Sequence, residues 1–166
     1  KQDLASLILD NFLYVDKTEI IHRLITHGVA YFLSRPRRFG KSLTVSTLTE
    51  IFSGNKELFK GLWIYDKIEW KKYRVIHIDF SKIGVTDVGT EQAILFCLDK
   101  IAKKHYITLT HSTPALKFAE LIELMSVKEQ VVILIDEYDK PIIDYIENIP
   151  EAEKNRSILK NFDIDI

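Results

Sequence analysis

The segment that most restricts the possible fold of this chain runs from Val29 to Ser42. It begins with a short continuous apolar stretch, Val29 to Leu33, of the kind found in a strand that is covered on both faces. It ends in Gly40, Lys41 and Ser42, after which the apolar side chains change to helical spacing. A strand, a loop and a helix in this order, with Gly-Lys-Ser where the helix starts, predict a phosphate-binding loop.

The loop departs from the usual pattern at its first position. That pattern is G-x-x-x-x-G-K-[ST], in which backbone N–H groups surround the phosphates, the lysine neutralises them and the hydroxyl binds Mg²⁺. Arg35 stands where the first glycine is expected, and Pro36 has no N–H to donate. Arg37 and Arg38 leave three interpretations open: contact with a γ-phosphate, action on the nucleotide of a neighbouring subunit, or an ordinary solvated or ion-paired loop.

Composition narrows the class of protein. The chain has 166 residues, of which 46% are hydrophobic and 28% charged, as in one soluble globular domain. A net charge of −1 argues against a broad nucleic-acid surface. The single cysteine, Cys97, cannot form an internal disulfide, and no apolar stretch reaches membrane length. We therefore expect a cytoplasmic protein with no membrane partner.

A helix is predicted before the loop. Asp16 and Glu19 form a capping pair ahead of apolar residues at helical spacing, and Gly28 is suited to the position after the helix. This gives a helical lead-in over residues 1–28, packed on a core that comprises residues 29–166.

The rest of the chain alternates helices and strands, which predicts an α/β fold with a parallel sheet. The third predicted strand is a buried one that ends in Asp136 and Glu137, two acids at the carboxyl end of a strand. The predicted elements are strands over Val75 to Phe80 and Val131 to Ile135, and helices from Thr90 to about Lys104, from Pro114 to about Met125 and from Pro141 onward.

The two acids complete the predicted nucleotide site. Asp136 is expected to hold Mg²⁺ through water, and Glu137 to polarise a water aimed at the γ-phosphate. The plain alternative for Glu137 is a solvated acid at a helix start. The predicted set is Arg37, Arg38, Phe39, Gly40, Lys41, Ser42 and Leu43 for the nucleotide, Ser42 and Asp136 for the metal, and Glu137 and Lys41 for catalysis.

Three further positions have weaker alternatives. His77 and Asp79 share a strand face, and the polar face of an edge strand is the favoured interpretation over an approach to the site. Asp139 is expected to cap a helix rather than to assist catalysis. Cys97 has helical spacing with apolar neighbours and is expected in the core.

Three ordered motifs give the chain a family resemblance. They are Tyr14 to Thr18, Arg35 to Leu43 and Asp136 to Pro141, and with them the chain resembles the bacterial AAA-ATPase-like family over nearly its whole length. The resemblance implies a P-loop NTPase fold, a three-layer αβα arrangement of the additional-strand type, with ATP and Mg²⁺ as ligands. It also implies that the arginine at the first-glycine position is a family trait.

The resemblance further implies a sheet order of 5-1-4-3-2, in which a fourth strand lies beside the phosphate-loop strand. The 166 residues stop before that strand, so we expect a C-terminally truncated core. Family members often continue into a nuclease-like segment of the PD-(D/E)XK type, whose motif does not occur in these 166 residues. A nucleic-acid partner is expected only through such a module.

Two functions of different classes are compatible with these residues. The first is an ATP-hydrolysing domain that acts as motor or switch for an attached module. The second is a nucleotide-dependent interaction switch, with a protein partner or self-association as its output and no significant hydrolysis. A small-molecule kinase is a weaker third interpretation, because an acceptor-pocket motif is not evident. The residues alone do not separate ATP from GTP; ATP rests on the resemblance.

Overall fold

The computed structural model describes residues 3–28, 30–34, 39–127 and 129–163. Two short 3₁₀ helices, Lys56–Phe59 and Trp63–Asp66, lie between the helix Lys41–Phe52 and the first strand. The predicted α/β class is confirmed, and the two strands form a small parallel sheet. The elements in these ranges are helices α1 (Leu4–Leu9), α2 (Thr18–Thr26), α3 (Lys41–Phe52), α4 (Val85–Val88), α5 (Thr90–Lys104), α6 (Pro114–Ser126), α7 (Lys140–Ile143) and α8 (Ile149–Asp163), and strands β1 (Arg74–Asp79) and β2 (Val131–Asp136).

The chain divides into two compact units, Lys1–Val75 and Ile76–Ile166. The predicted lead-in and core, which meet at residue 28, are a different division and remain a prediction. The first unit has a core of its own, to which α1, α2, α3 and both 3₁₀ helices contribute. Its buried apolar side chains are Leu4, Ile21, Leu48, Ile51, Phe59 and Ile64.

The second unit is built around one face of β1. Ile76, Ile78 and Phe80 alternate along the strand and are almost completely buried, as the period of a strand requires. Helices α5, α6 and α8 cover them, and the rings of Phe118 and Phe162 stack with their centroids 4.7 Å apart. The predicted helix from Thr90 and the predicted helix from Pro114 are confirmed as α5 and α6.

The predicted strand before the phosphate loop is wrong for residues 30–34. Residues 30–34 belong to no strand, and Val29 lies outside the described residues. Tyr31 and Phe32 are 51% and 88% exposed, which a strand covered on both faces would not allow. A strand requires a hydrogen-bonded neighbour, and among the described residues the sheet consists of β1 and β2 alone.

The third predicted strand forms, but it is less buried than predicted. Residues 131–135 of β2 are only partly covered, whereas Asp136 at the end is 6% exposed. A strand in a two-stranded sheet has one unpaired edge, so continuous apolar character does not by itself bring full burial.

The C-terminal helices also differ from the prediction. The helix that contains Pro141 is one turn long, and the charged stretch after Pro150 forms the long helix α8. Asn155 on α8 explains how this polar helix is held: its amide donates to the Pro141 carbonyl at 2.8 Å and accepts from the Thr90 hydroxyl at 2.7 Å. Both of these partners are in the second unit, and Asn155 is buried.

The lead-in helix is confirmed as α2, although its ends are built differently from the capping pattern. Glu19 pairs with Arg23 at 2.6 Å. Gly28 does not adopt the left-handed backbone predicted for a residue after a helix. A side chain at Gly28 would instead collide with Tyr31, because an added Cβ would lie 2.6 Å from the tyrosine hydroxyl.

Candidate functional site

The first group of predicted site residues lies at the N-terminus of α3, in the first unit. Gly40 precedes the helix in a left-handed conformation, φ 77°, which glycine adopts without steric cost. Its carbonyl accepts from the Thr44 backbone N–H at 2.9 Å and from the Thr44 hydroxyl at 3.0 Å, which closes the first turn. The N–H groups of a first turn have no carbonyl partner within the helix, and together with the helix dipole they favour an anion.

The predicted nucleotide ligands fall into two groups. Arg37 and Arg38 lie outside the described residues, so their roles stay predictions. Phe39 is 64% exposed, and Lys41, Ser42 and Leu43 are half-buried on the first turn of α3. The lysine and the serine are consecutive residues at the helix start, as a phosphate loop requires.

The motif from Tyr14 to Thr18 makes hydrogen bonds to other elements of the first unit. The Tyr14 hydroxyl hydrogen-bonds with Thr47 of α3, and burial raises the pKa of Tyr14. The Asp16 carboxylate accepts from the Thr18 N–H at 2.8 Å, the Thr18 hydroxyl at 2.7 Å and the Trp63 N–H at 2.7 Å. The motif thus ties together α2, α3 and the second 3₁₀ helix of the first unit.

Replacing Asp16 with alanine is expected to lower the free energy of unfolding by about 2 kcal/mol, since three hydrogen bonds to the carboxylate are lost. Burial alone would raise the pKa of Asp16, but hydrogen bonds from Trp63 and Thr18 outweigh it and hold this pKa below its usual value. The carboxylate therefore stabilises the fold above about pH 4 and loses this effect as the pH falls through the folded-state value.

Urea unfolding at pH 7 and at pH 3 measures both effects. The difference between wild type and Asp16→Ala should shrink at the lower pH. The control is Asp66→Ala, which removes a carboxylate that is 73% exposed in the same unit. An Asp16 variant as stable as this control at pH 7 would contradict the structural role of the motif.

The second group of predicted site residues lies at the end of β2, in the second unit. Asp136 is buried; its Oδ1 accepts from the Glu137 N–H at 3.0 Å, and its main-chain carbonyl accepts from the Phe80 N–H at 3.0 Å. The second bond ties the end of β2 to the end of β1. A buried carboxylate at a strand end, next to a second acid, is the arrangement that the sequence predicts for this segment.

Glu137 has an unusual backbone. Its φ of 54° lies in the left-handed region, which costs a residue with a Cβ about 1–2 kcal/mol. Its carbonyl accepts from the Lys140 N–H at 2.9 Å, which starts the turn into α7. Strain of this kind is found at functional sites, where the direction of a side chain matters more than local stability.

Replacing Glu137 with glycine is expected to raise the free energy of unfolding by about 1 kcal/mol, because glycine adopts positive φ freely. Glu137→Ala is the matched control, since it removes the same carboxylate and keeps the Cβ. Chemical denaturation of the two variants side by side measures the difference. Equal stabilities would show that the backbone at this position is not strained.

Three polar side chains of the second unit lie near Asp136. Partial burial lowers the pKa of His77, and the negative charges of Asp79 and Asp136 only partly offset this effect. Asp79, at the end of β1, accepts from the Ser81 N–H at 2.9 Å and pairs with Lys82. Burial opposes these contacts, but together they hold the pKa of Asp79 below its usual value. Asp136 is also close enough to raise the pKa of Lys82, after the stronger effect of Asp79.

The favoured prediction for His77 and Asp79, the polar face of an edge strand, agrees with the structure. His77 is exposed on β1, which has a single strand neighbour among the described residues, and the negative charges of Asp79 and of the buried Asp136 act on it. Asp79 and Asp136 each end a strand, and parallel strands end at the same edge of a sheet, so the sequence itself indicates that these two aspartates lie close together. The sequence does not indicate the buried position of Asn155, because this residue lies in a charged stretch.

The predictions for Asp139 and Cys97 have different outcomes. Asp139 occupies the position before α7, but its side chain makes no capping hydrogen bond, so the predicted cap is wrong in its chemistry. Cys97 packs against the core of the second unit, as predicted, and burial raises the pKa of its thiol. In the described parts of the chain, no group of three or more His, Cys, Asp or Glu side chains is arranged to hold a metal.

These features define an α/β protein with a helix that starts directly after a left-handed glycine in one unit and a buried strand-end aspartate in the other. Comparison with known proteins gives the class a family: the chain belongs to the AAA-ATPase-like family, whose model, described as a predicted AAA-ATPase, matches residues 1–164. The predicted family is therefore confirmed. The family description supports an ATPase-like role and the use of ATP.

A relative from Azotobacter chroococcum mcd 1, described as "Uncharacterized protein in vnfD 5′region", is 40% identical over 156 residues. The match covers 92% of this chain and 30% of the relative, so the chain spans less than a third of that protein. No solved structure matches. None of the described helices is both long enough and apolar enough to cross a bilayer.

Proposed function

We propose that the chain is a P-loop domain that binds ATP with Mg²⁺ and hydrolyses it. The observation that carries the proposal is the start of α3, where a left-handed glycine leads directly into Lys41 and Ser42. A helix start presents N–H donors and a positive dipole end, and Lys41 adds a full positive charge. Membership of a family of predicted ATPases makes a nucleoside triphosphate the natural anion.

The proposed ligands of the phosphates are the backbone from Phe39 to Leu43 and the ammonium group of Lys41, with Arg37 or Arg38 as further cations. For Mg²⁺ the donors fit in kind, because a hydroxyl and a carboxylate are oxygen ligands of the type this cation prefers. Ser42 is proposed as a direct ligand and Asp136 as one that acts through water. When bound, Mg²⁺ supplies neutralisation of the charge that develops on the phosphate oxygens.

Glu137 is proposed to orient and polarise the attacking water. A carboxylate suits this role because it accepts a proton from water as the oxygen attacks phosphorus. The strained backbone at Glu137 supports the proposal, since a left-handed conformation directs its side chain differently from an ordinary strand end. Lys41 neutralises the charge on the transferred phosphoryl group and its leaving oxygen.

The energy of hydrolysis is proposed to drive or gate an attached module. The relative, more than three times the length of the matched segment, provides room for one, and the family resemblance suggests a nuclease-like segment. The alternative is a nucleotide-dependent interaction switch, in which ATP binding alone selects a protein partner or a second copy. No specific contact among the described residues of either unit favours this alternative over hydrolysis.

Phosphate release from Mg²⁺-ATP, measured beside equilibrium ATP binding on the same preparation, tests the proposal. Binding accompanied by multiple turnovers supports the ATPase. Binding with no turnover in the full-length protein supports the switch. No binding of ATP by the full-length protein would overturn both.

A further inference from the structure

One buried polar side chain of the second unit lies on a charged and exposed stretch of α8. Asn155 is 1% exposed, whereas its neighbours Lys154 and Arg156 are exposed. Burying a carboxamide costs free energy unless its donor and its acceptor are both bonded. The Pro141 carbonyl can only accept, so the amide nitrogen of Asn155 faces it and leaves the amide oxygen to the Thr90 hydroxyl. Both ends of this side chain therefore have a partner of the right type.

Stability alone does not explain an asparagine at this position. The net contribution of a buried hydrogen bond is small, about 1 kcal/mol, and apolar groups of the same shape in its place are often nearly neutral. A fully bonded buried amide instead fixes one arrangement of the elements that it joins. The bond from Asn155 joins α8 to Pro141 of α7, which lies four residues after Glu137. The amide thus restrains the turn that starts at Glu137.

A second tie from α8 reaches the residue next to Glu137. The Tyr138 hydroxyl donates to the Leu159 carbonyl of α8 at 3.2 Å. The Tyr138 ring packs edge-to-face against Phe80, directly after β1, with the ring centroids 5.8 Å apart. Leu159 and Phe80 are almost completely buried, so both supports belong to the closely packed core of the second unit. Helix α8 therefore holds the chain at two points, one residue and four residues after Glu137.

We infer that Asn155 and Tyr138 are positioning residues for Glu137, an inference that rests on the proposed role of Glu137 in hydrolysis. The left-handed backbone of Glu137, φ 54°, costs about 1–2 kcal/mol and persists only where neighbouring contacts hold it. The Lys140 N–H, which donates to the Glu137 carbonyl at 2.9 Å, lies in sequence between the two ties. Loss of either tie lets this turn relax toward ordinary torsion angles and changes the direction of the carboxylate.

Replacing Asn155 with leucine tests the inference, because leucine has a similar size, suits a buried helix position and cannot donate to Pro141. Thr90→Val is the matched control, since it removes the other hydrogen bond of the same amide and leaves the bond to Pro141 in place. Steady-state hydrolysis of Mg²⁺-ATP by the full chain gives kcat and KM. In Asn155→Leu we expect kcat to fall at least about tenfold with an unchanged KM for ATP, since a misplacement of about 1 Å costs up to about a hundredfold in rate.

A double variant shows whether the loss acts through Glu137. Glu137→Gln combined with Asn155→Leu should hydrolyse ATP no more slowly than Glu137→Gln alone, because the effects of residues that act on one group are not additive. Thr90→Val should keep the wild-type kcat. A further fall in the double variant, or an equal loss in Thr90→Val, would overturn the inference, since either result shows a general effect on the fold.

Amide hydrogen exchange measures the turn without any need for activity. The Lys140 N–H should exchange at least about tenfold faster in Asn155→Leu, because the turn opens locally, and at the wild-type rate in Thr90→Val. Tyr138→Phe removes only the hydroxyl, should change kcat and exchange in the same direction, and covers the case in which Asn155→Leu does not fold. Wild-type kcat or wild-type exchange in the folded variants would overturn the inference and leave the hydrolysis proposal standing.

The failure of the proposed function has a different signature. If the wild type binds ATP without turnover, or if Glu137→Gln hydrolyses ATP at the wild-type rate, the proposed role of Glu137 is wrong and the inference is overturned with it. Slow hydrolysis in Glu137→Gln, beside a selective fall of kcat in Asn155→Leu, is the combination that the inference requires.

Discussion

Replacing Glu137 with glutamine is expected to leave ATP binding intact and to slow ATP hydrolysis at least about a hundredfold, the usual contribution of a positioned general base. Glutamine keeps the shape of the side chain and loses the capacity to take a proton. The fold should tolerate the change, because the backbone bonds that hold this turn, to Asp136 and to Lys140, come from main-chain atoms of Glu137.

Glu153→Gln is the matched control, since Glu153 is an exposed glutamate of the same unit on α8. Phosphate release under saturating ATP, with binding measured in parallel, gives the two quantities. If Glu137→Gln hydrolyses ATP at the wild-type rate, Glu137 does not act in hydrolysis and is only a solvated acid at the start of a helix. If it also stops binding ATP, its role is in the nucleotide complex rather than in the chemical step.

Replacing Lys41 with alanine is expected to weaken ATP binding at least about a hundredfold. Charge-assisted hydrogen bonds contribute up to about 3 kcal/mol each, and the lysine is proposed to contact two phosphates. The loss should be the same for a hydrolysing enzyme and for a switch, because both need the nucleotide. Turnover should disappear with binding.

Lys60→Ala is the control for this variant, because it removes an exposed lysine of the same unit and so the same net charge. Calorimetric titration at two salt concentrations checks that the loss is local, since a diffuse charge effect would be screened in both variants. If Lys41→Ala binds ATP as tightly as the Lys60→Ala control, the start of α3 does not bind the nucleotide.

The parts of the fold that sequence reasoning predicts well depend on local patterns. Helix α5 begins at Thr90 and ends at Lys104 as predicted, and β1 shows the alternation that its sequence contains, with Ile76 and Ile78 buried. These patterns are helical spacing, proline at a first turn and period-two alternation, and each involves only residues that are close in sequence. They need no information from the rest of the chain.

The errors depend on partners far away in sequence. The apolar stretch from Val29 to Leu33 predicts a strand only if another strand pairs with it, and among the described residues the sheet consists of β1 and β2 alone. The predicted burial of β2 is too high because burial also depends on elements that are distant in sequence. Asn155 stabilises α8 through Thr90 and Pro141, which no local pattern around a charged helix reveals.

The sequence predicts the residues of the candidate site better than it predicts the contacts and backbone conformations that hold them in place. Gly40, Lys41 and Ser42 occupy a helix start, and Asp136 with Glu137 ends a strand, because the motifs themselves specify these local geometries. The supports are the hydrogen bonds of Asp16, the left-handed backbone of Glu137 and the charges around Asp136. Sequence patterns do not predict them, since each requires knowledge of contacts or torsion angles.

The central proposal is that the start of α3 binds the phosphates of ATP and the metal that accompanies them. Nuclear magnetic resonance with Mn²⁺ in place of Mg²⁺ tests it directly, because this ion broadens the signals of nearby amides. Adding ATP and Mn²⁺ is expected to broaden the amide signals of Gly40 and Ser42, and Lys41→Ala is expected to prevent the broadening of both. Signals of Gly40 and Ser42 that stay sharp, or broadening that is unaffected by loss of Lys41, would contradict the proposal.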